Sequence, residues 1–399
     1  MAEENNANKV DLADPEHIEC PYKMYASLHE AGGVGVDPNI GTIVAGYDTL
    51  AALARNTSVY SSAITEDDRG PRHMGINSEP VQDDVEEVLS NAHPIVNALF
   101  TTDPPEHTRH RKLISKALSP RSVRALEPQI RQITTELIDA FIDRGSVDLI
   151  PEFAVPLPVT VIADILGVDR ADIWTFKHWG DLMISGNIDL LTHERRRQPT
   201  DDLLSIMVNT EVDGEPPLTT AELLPIIDQI LLAGHETTTN LIGNAVLVLL
   251  NDNELMARLR DQPADIPAMV EEALRWDPPI QCTYRRATRD DTIEGNSIKA
   301  GDMVIPMWAG ANWDPEVFPN PEQFDIDRPT TKPHMGFGFG PHFCAGAELA
   351  RLEAKIAFEE LLGRMGDIAL NEGESDLSHL PSFASHGYRQ VGLRFSKIR

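Results

Sequence analysis

Cys344 lies in the run FGFGPHFCAG, residues 337–346, and its surroundings suit a reactive or metal-bound sulfur. Gly338 and Gly340 allow the backbone to fold tightly beside the cysteine, and the pattern predicts a helix from Ala345 to Met365 immediately after it. Free amides and the positive end of the dipole at a helix N-terminus stabilise a thiolate. The sulfur therefore suits nucleophilic attack or ligation of a metal, a haem iron included, whereas a buried packing cysteine is the structural alternative.

The run AGHETT, residues 233–238, is the second group of residues that could do chemistry. Glu236 and Thr237 place an acid beside an alcohol, and such a pair can pass protons to a reacting group. Gly234 in the middle of a helix costs about 1 kcal/mol relative to alanine, so a compensating role is expected. The alternative is that the threonine hydroxyl bonds back to a helix carbonyl and the glutamate pairs with a cation.

The helix that carries AGHETT is predicted to run from Leu223 to Leu250, a length that raises the question of a membrane span. Polar side chains within it, such as Asp228 and Asn240, are costly in lipid. The pattern therefore predicts a helix that crosses a protein core.

The other elements follow from shorter patterns. Apolar runs at 34–36 and 42–44 predict a hairpin, and a helix is predicted from Tyr47 to Arg55. Helical periodicity extends from Glu106 to Val168, and in the middle and end of the chain strands are expected only near 292–305 and 381–395. Residues 60–98 predict a long connection of the kind that often serves as a lid. The chain is thus predicted to be mainly α with small β-sheets.

The net charge of −29 argues against nucleic acid or an anionic membrane surface as a partner. Between His107 and Leu126, however, every charged side chain is basic. The basic residues of this segment are Arg109, Arg111, Lys112, Lys116, Arg121 and Arg124. A solvated helix face is the ordinary interpretation. We favour a docking surface for an acidic partner, because the local sign opposes that of the whole chain.

The N-terminal run MAEENNANKVDLADPEH has neither a basic region nor an apolar stretch, so no signal peptide or membrane anchor is expected. Three widely spaced cysteines, Cys20, Cys282 and Cys344, do not suggest a disulfide framework. A reducing, cytoplasmic location is therefore predicted.

In combination, these motifs resemble the cytochrome P-450 superfamily, in the family's order and over nearly the whole chain. FGFGPHFCAG matches the haem-binding pattern FGxGxHxCxG, and AGHETT matches the oxygen-activating pattern (A/G)Gx(D/E)TT. Glu272-x-x-Arg275 resembles the ExxR element, and His107-x-x-x-Arg111 resembles the HxxxR propionate clamp. The resemblance implies a triangular prism of helices around a buried haem b. It also implies a single domain over residues 1–399, with a smaller β-containing region near 30–60.

The resemblance also implies roles for single residues. Cys344 would ligate the iron, while Glu236 and Thr237 would handle dioxygen and protons beside the small Ala233 and Gly234. Further residues implied at the cofactor are His107, Arg111, Arg285 (or Arg286), Phe337, His342 and Gly346. Arg328 is implied as the third partner of Glu272 and Arg275. Substrate-facing positions are implied at Gln229, Leu232, Ala233, Gln281, Thr283 and Phe383.

The implied activity is that of a bacterial haem-thiolate monooxygenase that hydroxylates or epoxidises an apolar molecule, with a terpenoid, steroid or aromatic compound as the substrate guess. No dinucleotide fingerprint follows a strand, so electrons would come from a separate ferredoxin and its NAD(P)H-dependent reductase. The face toward ferredoxin would carry Arg109, Lys112, Lys116, Arg121 and Arg124. A monomer is expected. The alternatives are a peroxide-using haem-thiolate enzyme and a non-catalytic haem sensor or carrier.

One segment departs from the family pattern. Only 14 residues separate Trp179 from Glu194, where the family has two helices and a loop above the substrate. Either this roof is short or a piece is missing from the sequence, and the run GNIDLLTHERRRQPTDD favours the second interpretation.

Overall fold

The computed structural model describes residues 8–63, 97–167, 186–329 and 331–398, and α-helices account for most of the regular structure in them. The helices are Pro15–Glu19, Tyr22–Glu30, Tyr47–Arg55, Glu106–Ala117, Pro120–Ala125, Glu127–Asp139, Pro156–Leu166, Gly186–Arg197, Leu203–Asn209, Thr220–Asn251, Asn253–Asp261, Ile266–Trp276, Trp308–Asn312 and Ala347–Arg364. The strands are short, which confirms the prediction of a mainly α fold with small sheets.

The chain divides into two compact units, and each is assembled from three separate stretches of sequence. The first unit comprises Met1–Ser78, Gly243–Cys344 and Asp376–Arg389, and the second comprises Glu79–Ile242, Ala345–Ser375 and Gln390–Arg399. The single domain expected from the sequence stays a prediction.

A six-stranded sheet lies in the first unit, with the order β1-β2-β3-β9-β6-β4. Its strands are β1 Asn8–Lys9, β2 Val34–Asp37, β3 Gly41–Val44, β4 Tyr60–Ser61, β6 Arg285–Ala287 and β9 Met303–Pro306. Strands β2 and β3 form the expected hairpin, with Val34 opposite Val44. The buried carboxylate of Asp37 holds the turn, because it accepts from the amides of Asn39 at 2.8 Å and Ile40 at 3.1 Å.

The second unit contains a three-stranded sheet that the sequence did not reveal in full. Its order is β10-β13-β5, with β5 at Ser146–Asp148, β10 at Met365–Leu370 and β13 at Gly392–Lys397. The prediction of continuous helical structure from Glu106 to Val168 is therefore wrong at β5. Strand β5 forms because it pairs antiparallel with β13, about 245 residues later in the chain.

The longest helix, Thr220–Asn251, begins three residues before its predicted start. Thr219 and Glu222 form a reciprocal cap at this end. The Thr219 amide donates to the Glu222 carboxylate at 2.8 Å, and the Glu222 amide donates to the Thr219 hydroxyl at 3.3 Å. This capping box, spelled Thr-x-x-Glu, was the sequence signal for the true start.

Two sequence predictions fall wholly or partly on residues outside the described ranges. The lid expected over 60–98 includes residues 64–96, and the short roof between Trp179 and Glu194 includes residues up to 185. The described part of the roof forms helix Gly186–Arg197. Among the described residues, none of the helices combines the length and apolar character that a bilayer-spanning segment needs.

Candidate active site

The cysteine loop, residues 337–346, closes on itself through backbone hydrogen bonds. The Cys344 amide donates to the Phe337 carbonyl at 2.9 Å. Gly338 and Gly340 adopt φ values of +70° and +74°, so both expected tight positions use the left-handed conformation that glycine permits. Helix Ala347–Arg364 begins two residues later than expected, with Gly346 as its N-cap. The sulfur therefore precedes the helix by three residues.

Close backbone packing explains two glycines beside the sulfur. A Cβ on Gly340 would lie 2.8 Å from the carbonyl oxygen of Ala54, at the end of helix Tyr47–Arg55. A Cβ on Gly336 would lie 2.4 Å from the carbonyl oxygen of Leu274. These distances are below van der Waals contact, so the loop rests directly on two helix ends and its shape is fixed by them.

Aromatic side chains line the cysteine loop. The rings of Phe337 and Phe343 meet edge to face with centroids 6.2 Å apart, and the Arg55 guanidinium lies 4.6 Å from the centre of the Phe339 ring. Phe343 is 38% exposed, and Cys344 is partly buried. The loop that carries the thiol thus contains three phenylalanines, two of them in ring contact with each other.

Glu272, Arg275 and Arg328, which were expected to form a structural group, lie in contact through the Glu272 carboxylate. Arg275 donates twice to Glu272, from Nε to Oε2 at 2.8 Å and from Nη2 to Oε1 at 2.7 Å. Arg328 Nε also donates to Glu272 Oε1, at 3.2 Å. All three side chains are at most 6% exposed, so their charges are buried together and mutually compensated.

Asn312 connects this charged group to the cysteine loop, and sequence reasoning missed it. Its carbonyl accepts from Arg275 Nη1 at 3.2 Å, and its side-chain oxygen accepts from the Met335 amide at 2.6 Å. Its side-chain nitrogen donates to the Leu274 carbonyl at 3.3 Å. A lone asparagine in AGANW carries no pattern that would have revealed these distant partners.

In the second unit, Thr237 makes the back-bond that the sequence left open as an alternative. Its hydroxyl donates to the Ala233 carbonyl at 2.7 Å. The neighbouring Glu236 is partly buried, while Ala233 and Leu232 are exposed, Leu232 to 48%. The middle of a largely buried helix thus presents a short apolar surface next to an acid and an alcohol.

A neighbouring helix packs closely against Gly234. A Cβ at this position would lie 2.8 Å from Cδ1 of Ile162, on helix Pro156–Leu166. The glycine therefore lets two helices approach each other, whereas Ala233 is the small residue on the exposed side. Asp228, eight residues before Glu236, was not singled out, and burial raises the pKa of its carboxyl to about 6.

The candidate propionate donors occupy both units. His107 is 4% exposed and Arg111 is partly buried, one turn apart on helix Glu106–Ala117. In the first unit Arg285 is 6% exposed on β6, and His342 Nε2 lies 3.1 Å from the Ser62 hydroxyl. The alternative donor, Arg286, bonds the Gly301 carbonyl at 2.6 Å.

The positions expected to face substrate have different surroundings. Gln281 is 3% exposed, its side-chain Oε1 accepts from the Tyr25 hydroxyl, and its side-chain Nε2 donates to the Pro278 carbonyl at 2.6 Å. Thr283 accepts from Trp308 Nε1 at 3.0 Å. Phe383 packs in a core cluster with residues of the N-terminal helices, such as Met24 and Leu28. These three have the environments of structural residues.

Gln229 is also engaged by protein groups, whereas Leu232 and Ala233 are the exposed members of the set. The Gln229 side chain bonds the backbone of Phe100 and the hydroxyl of Thr101, each at 3.1 Å. The two amides that the sequence offered to a polar substrate group, at 229 and 281, are therefore both used within the protein.

The basic segment divides into two parts. Arg109 pairs with Glu222 at 2.7 Å and with Glu215 at 2.9 Å, and Lys112 pairs with Asp213 at 2.5 Å. The remaining members of the expected docking face are exposed, namely Lys116, Arg121 and Arg124.

Considered unit by unit, these groups fit a haem. The first unit provides a thiol in a phenylalanine-lined loop and buried or partly buried donors in Arg285 and His342, which suit an iron and a carboxylate. The second provides His107 and Arg111 as further carboxylate donors, together with an exposed apolar stretch beside Glu236. The chemistry of the donor set thus agrees with a porphyrin that carries two propionates.

Known proteins are similar to this chain over most of its length. The cytochrome P450 family model matches residues 266–366. Cytochrome P450 107B1 of Saccharopolyspora erythraea is 40% identical over 318 residues, covering 74% of this chain and 76% of the relative. Cytochrome P450 109 of Bacillus spizizenii is 35% identical over 402 residues, covering 94% and 92%.

Solved structures show the same similarity. That of cytochrome P450 CYP109Q5 from Chondromyces apiculatus superposes with a TM-score of 0.86 at 35% identity, covering 98% of this chain and 99% of that one. The structure of CYP109E1 from Bacillus megaterium in complex with testosterone gives 0.80 at 31% identity, covering 94% and 99%.

Proposed function

Because the chain belongs to the cytochrome P450 family, as a haem b monooxygenase of the bacterial type, we propose the reaction that it performs and the residues that support it. The protein inserts one oxygen atom of dioxygen into an apolar small molecule, by hydroxylation or epoxidation, with electrons from a separate ferredoxin. The observation that carries the proposal is the glycine-built loop that contains Cys344, in which the Cys344 amide bonds the Phe337 carbonyl and Gly340 packs on the end of helix Tyr47–Arg55.

Cys344 is the residue proposed to hold the haem iron. Bound haem supplies a metal centre at which dioxygen is reduced, and a thiolate ligand favours cleavage of the O–O bond. The loop fixes the sulfur through the Phe337 carbonyl, and Asn312 ties the loop to the buried Glu272–Arg275 pair. The loop is therefore preorganised, which reduces the cost of orienting the ligand.

Glu236 and Thr237 are the proposed proton-handling pair. The Thr237 hydrogen is donated to the Ala233 carbonyl, so the hydroxyl oxygen keeps lone pairs that can accept a hydrogen bond. Glu236 lies next to it and is partly buried, which suits a carboxyl that exchanges protons with solvent. Asp228, with a pKa of about 6, is a second acid on the same helix that can be protonated near neutral pH.

The proposed propionate donors are His107, Arg111, Arg285 and His342, which are buried or partly buried as carboxylate partners should be. Ferredoxin is proposed to dock at Lys116, Arg121 and Arg124, three exposed basic residues of a chain whose net charge is −29. None of the three cysteines, all within the described residues, forms a disulfide, which supports a reducing location such as the cytoplasm.

The proposed substrate is a largely apolar molecule such as a steroid or terpenoid. Two observations support this class. The amides of Gln229 and Gln281 are engaged by protein groups, and Leu232 presents an exposed apolar side chain beside Ala233. The CYP109E1 complex with testosterone shows that one relative accommodates a steroid.

Carbon monoxide binding tests the ligand assignment. Reduced wild-type protein should give the long-wavelength Soret band of thiolate ligation, and Cys344→His should lose that band while retaining haem. Cys282→Ser, at the buried cysteine, is the matched control and should keep the band. A histidine-type spectrum in the wild type would overturn the proposal.

Turnover distinguishes the monooxygenase from a peroxide-using enzyme. Product formation should require ferredoxin, its reductase and dioxygen, and a substrate should shift the haem spin state when it binds. Full activity with hydrogen peroxide alone would contradict the proposed electron route.

A further inference from the structure

We propose that Gln229 is a positioning residue, which fixes the turn Ala98–Thr102 so that the ring of Phe100 forms an apolar contact for the substrate. The inference rests on the proposed function, and it assigns part of the specificity to a residue that no sequence motif marks.

The Gln229 side chain joins the longest helix to this turn with both ends of its amide. Oε1 accepts from the Phe100 amide at 3.1 Å, and Nε2 donates to the Thr101 hydroxyl at 3.1 Å. A side-chain amide that uses its oxygen and its nitrogen on adjacent residues fixes both the distance and the orientation of that segment.

Thr101 uses its full hydrogen-bonding capacity within the turn. Its hydroxyl donates to the Ala98 carbonyl at 2.9 Å and accepts from the Ala98 amide at 3.0 Å and from Gln229. A hydroxyl has one hydrogen and two lone pairs, so no capacity is left for solvent or substrate. Removal of Gln229 would leave one of these lone pairs without its donor.

His110, on helix Glu106–Ala117, holds the turn from a second side. The Leu99 amide donates to His110 Nδ1 at 3.2 Å, and the histidine is 6% exposed. Burial, and then the nearby Arg109, lower the pKa of His110, which keeps the ring neutral and able to accept. Leu99 has a φ of +35°, a conformation rare for a bulky side chain, so the surroundings must impose it.

The two large apolar side chains of this turn differ in their exposure to solvent. Leu99 is 8% exposed, whereas Phe100 is 41% exposed. Leu232, three residues after Gln229 and so on the same side of the helix, is 48% exposed. A single exposed phenylalanine means little. This one is fixed by two helices, and Gln229, which holds it, stands about one turn before Ala233 and about two turns before Glu236 and Thr237.

Two azoles that bind haem iron form a probe pair for this assignment. Imidazole reports only on access to the iron, whereas 4-phenylimidazole adds an apolar ring that can contact Phe100. Binding of each to the ferric protein is followed through the haem spectrum. Phe100→Ala should weaken 4-phenylimidazole roughly tenfold, as for a lost aromatic contact, and should leave imidazole unchanged.

A double-variant cycle tests whether Gln229 acts through Phe100. Gln229→Leu should weaken 4-phenylimidazole by a similar factor, and Phe100→Ala/Gln229→Leu should be no weaker than Phe100→Ala alone. Gln229→Glu keeps the acceptor for the Phe100 amide, so it should bind 4-phenylimidazole more tightly than Gln229→Leu. This variant also provides the test if the leucine variant does not fold. Gln132→Leu, at an exposed glutamine that bonds Glu136, is the control and should match the wild type.

Other outcomes of these measurements would contradict either the positioning role of Gln229 or the proposed function. Equal weakening of both azoles, or additive effects in the double variant, would overturn the positioning role. A wild type whose haem spectrum does not respond to imidazole would overturn the proposed function itself, and the inference with it.

Discussion

Two buried glutamates, Glu272 and Glu353, differ in whether a cation compensates the carboxylate charge. Glu272 is 5% exposed and receives hydrogen bonds from Arg275 and Arg328, so its carboxylate is compensated. Glu353, on helix Ala347–Arg364, is 1% exposed, and its Oε2 has no hydrogen-bond partner among the described residues. Burial raises the pKa of Glu353 to about 8, so the side chain is protonated at neutral pH.

Glu353→Gln should make the protein more stable at alkaline pH. The unfolded chain loses its Glu353 proton near pH 4.5 and the folded protein near pH 8, so wild-type stability falls between these values. The fall approaches about 1.4 kcal/mol per pH unit, and the glutamine variant lacks it. Urea unfolding at pH 6 and pH 8 measures the difference between the two proteins.

Glu348→Gln provides the matched control on the same helix, because that side chain is exposed and pairs only with Arg351 in this region. Its free energy of unfolding should follow the wild type at both pH values. Parallel pH profiles for wild type and Glu353→Gln would show that Glu353 is ionised in the folded protein.

At the scale of elements, a pair of stacked histidines fastens the hairpin of β11 (Asp376–His379) and β12 (Tyr388–Gln390). The rings of His379 and His386 lie 3.8 Å apart at 14°. His386 Nδ1 lies 2.7 Å from Asp277, and His379 Nδ1 lies 3.1 Å from Glu19. The hairpin is thereby tied to two helix ends within the first unit. Stacked imidazoles at this distance resist double protonation.

The two histidines should respond to pH in opposite directions. Burial lowers the pKa of His386, but Asp277 raises it by more, so the net shift is upward. The stabilising charge of His386 is therefore fully present below about pH 6.5 and is lost as the pH rises through the folded-state pKa. Burial and His386 lower the pKa of His379, so the folded protein loses stability as pH falls below about 6.5.

Two variants measure this opposition. His386→Gln should destabilise the protein more at pH 6 than at pH 8, by about 1–3 kcal/mol at the lower value because Asp277 loses its buried partner. His379→Gln should cost less at pH 6 than at pH 8. Chemical unfolding of both variants at the two pH values is the measurement, and pH slopes of the same sign would contradict the assignment.

At the scale of the whole molecule, the basic segment 107–126 of this acidic chain contains paired residues such as Lys112, and residues such as Lys116 for which the described part of the chain shows no ion pair. Lys112 and Lys116 are one turn apart on the same helix, but Asp213 offsets the charge of Lys112 alone. Charges at a surface act over about 10 Å at moderate salt, so a local pair contributes little to the field that a partner experiences.

A triple variant that combines Lys116→Gln, Arg121→Gln and Arg124→Gln should be tested at low and high salt. An acidic ferredoxin should reduce its haem severalfold more slowly than that of the wild type at low salt, and the difference should vanish at high salt. Lys112→Gln is the control and should have a smaller effect. Stopped-flow measurement of haem reduction at two ionic strengths provides the comparison. A larger effect from Lys112 than from the triple variant would exclude this surface as the docking face.

Local patterns determined much of what the sequence could reveal. The helix Tyr47–Arg55 has its predicted bounds, and the two glycines of the cysteine loop have the conformations that tight folding required. The capping box at Thr219 was equally readable. These features depend on residues within a few positions of each other, so propensity and spacing specify them without tertiary information.

Contacts between distant residues were decided only by the tertiary structure. Strand β5 exists through β13, Gly234 is small because of Ile162, and Thr237 bonds back to its own helix. Gln229 offered an amide to the substrate on sequence grounds, yet that amide binds Phe100 and Thr101 instead. Hydrogen bonds between residues that are more than a hundred positions apart produce no periodic pattern in a sequence. The sequence thus identified the chemistry around Cys344, and the packing of the chain determined which side chains remain available to it.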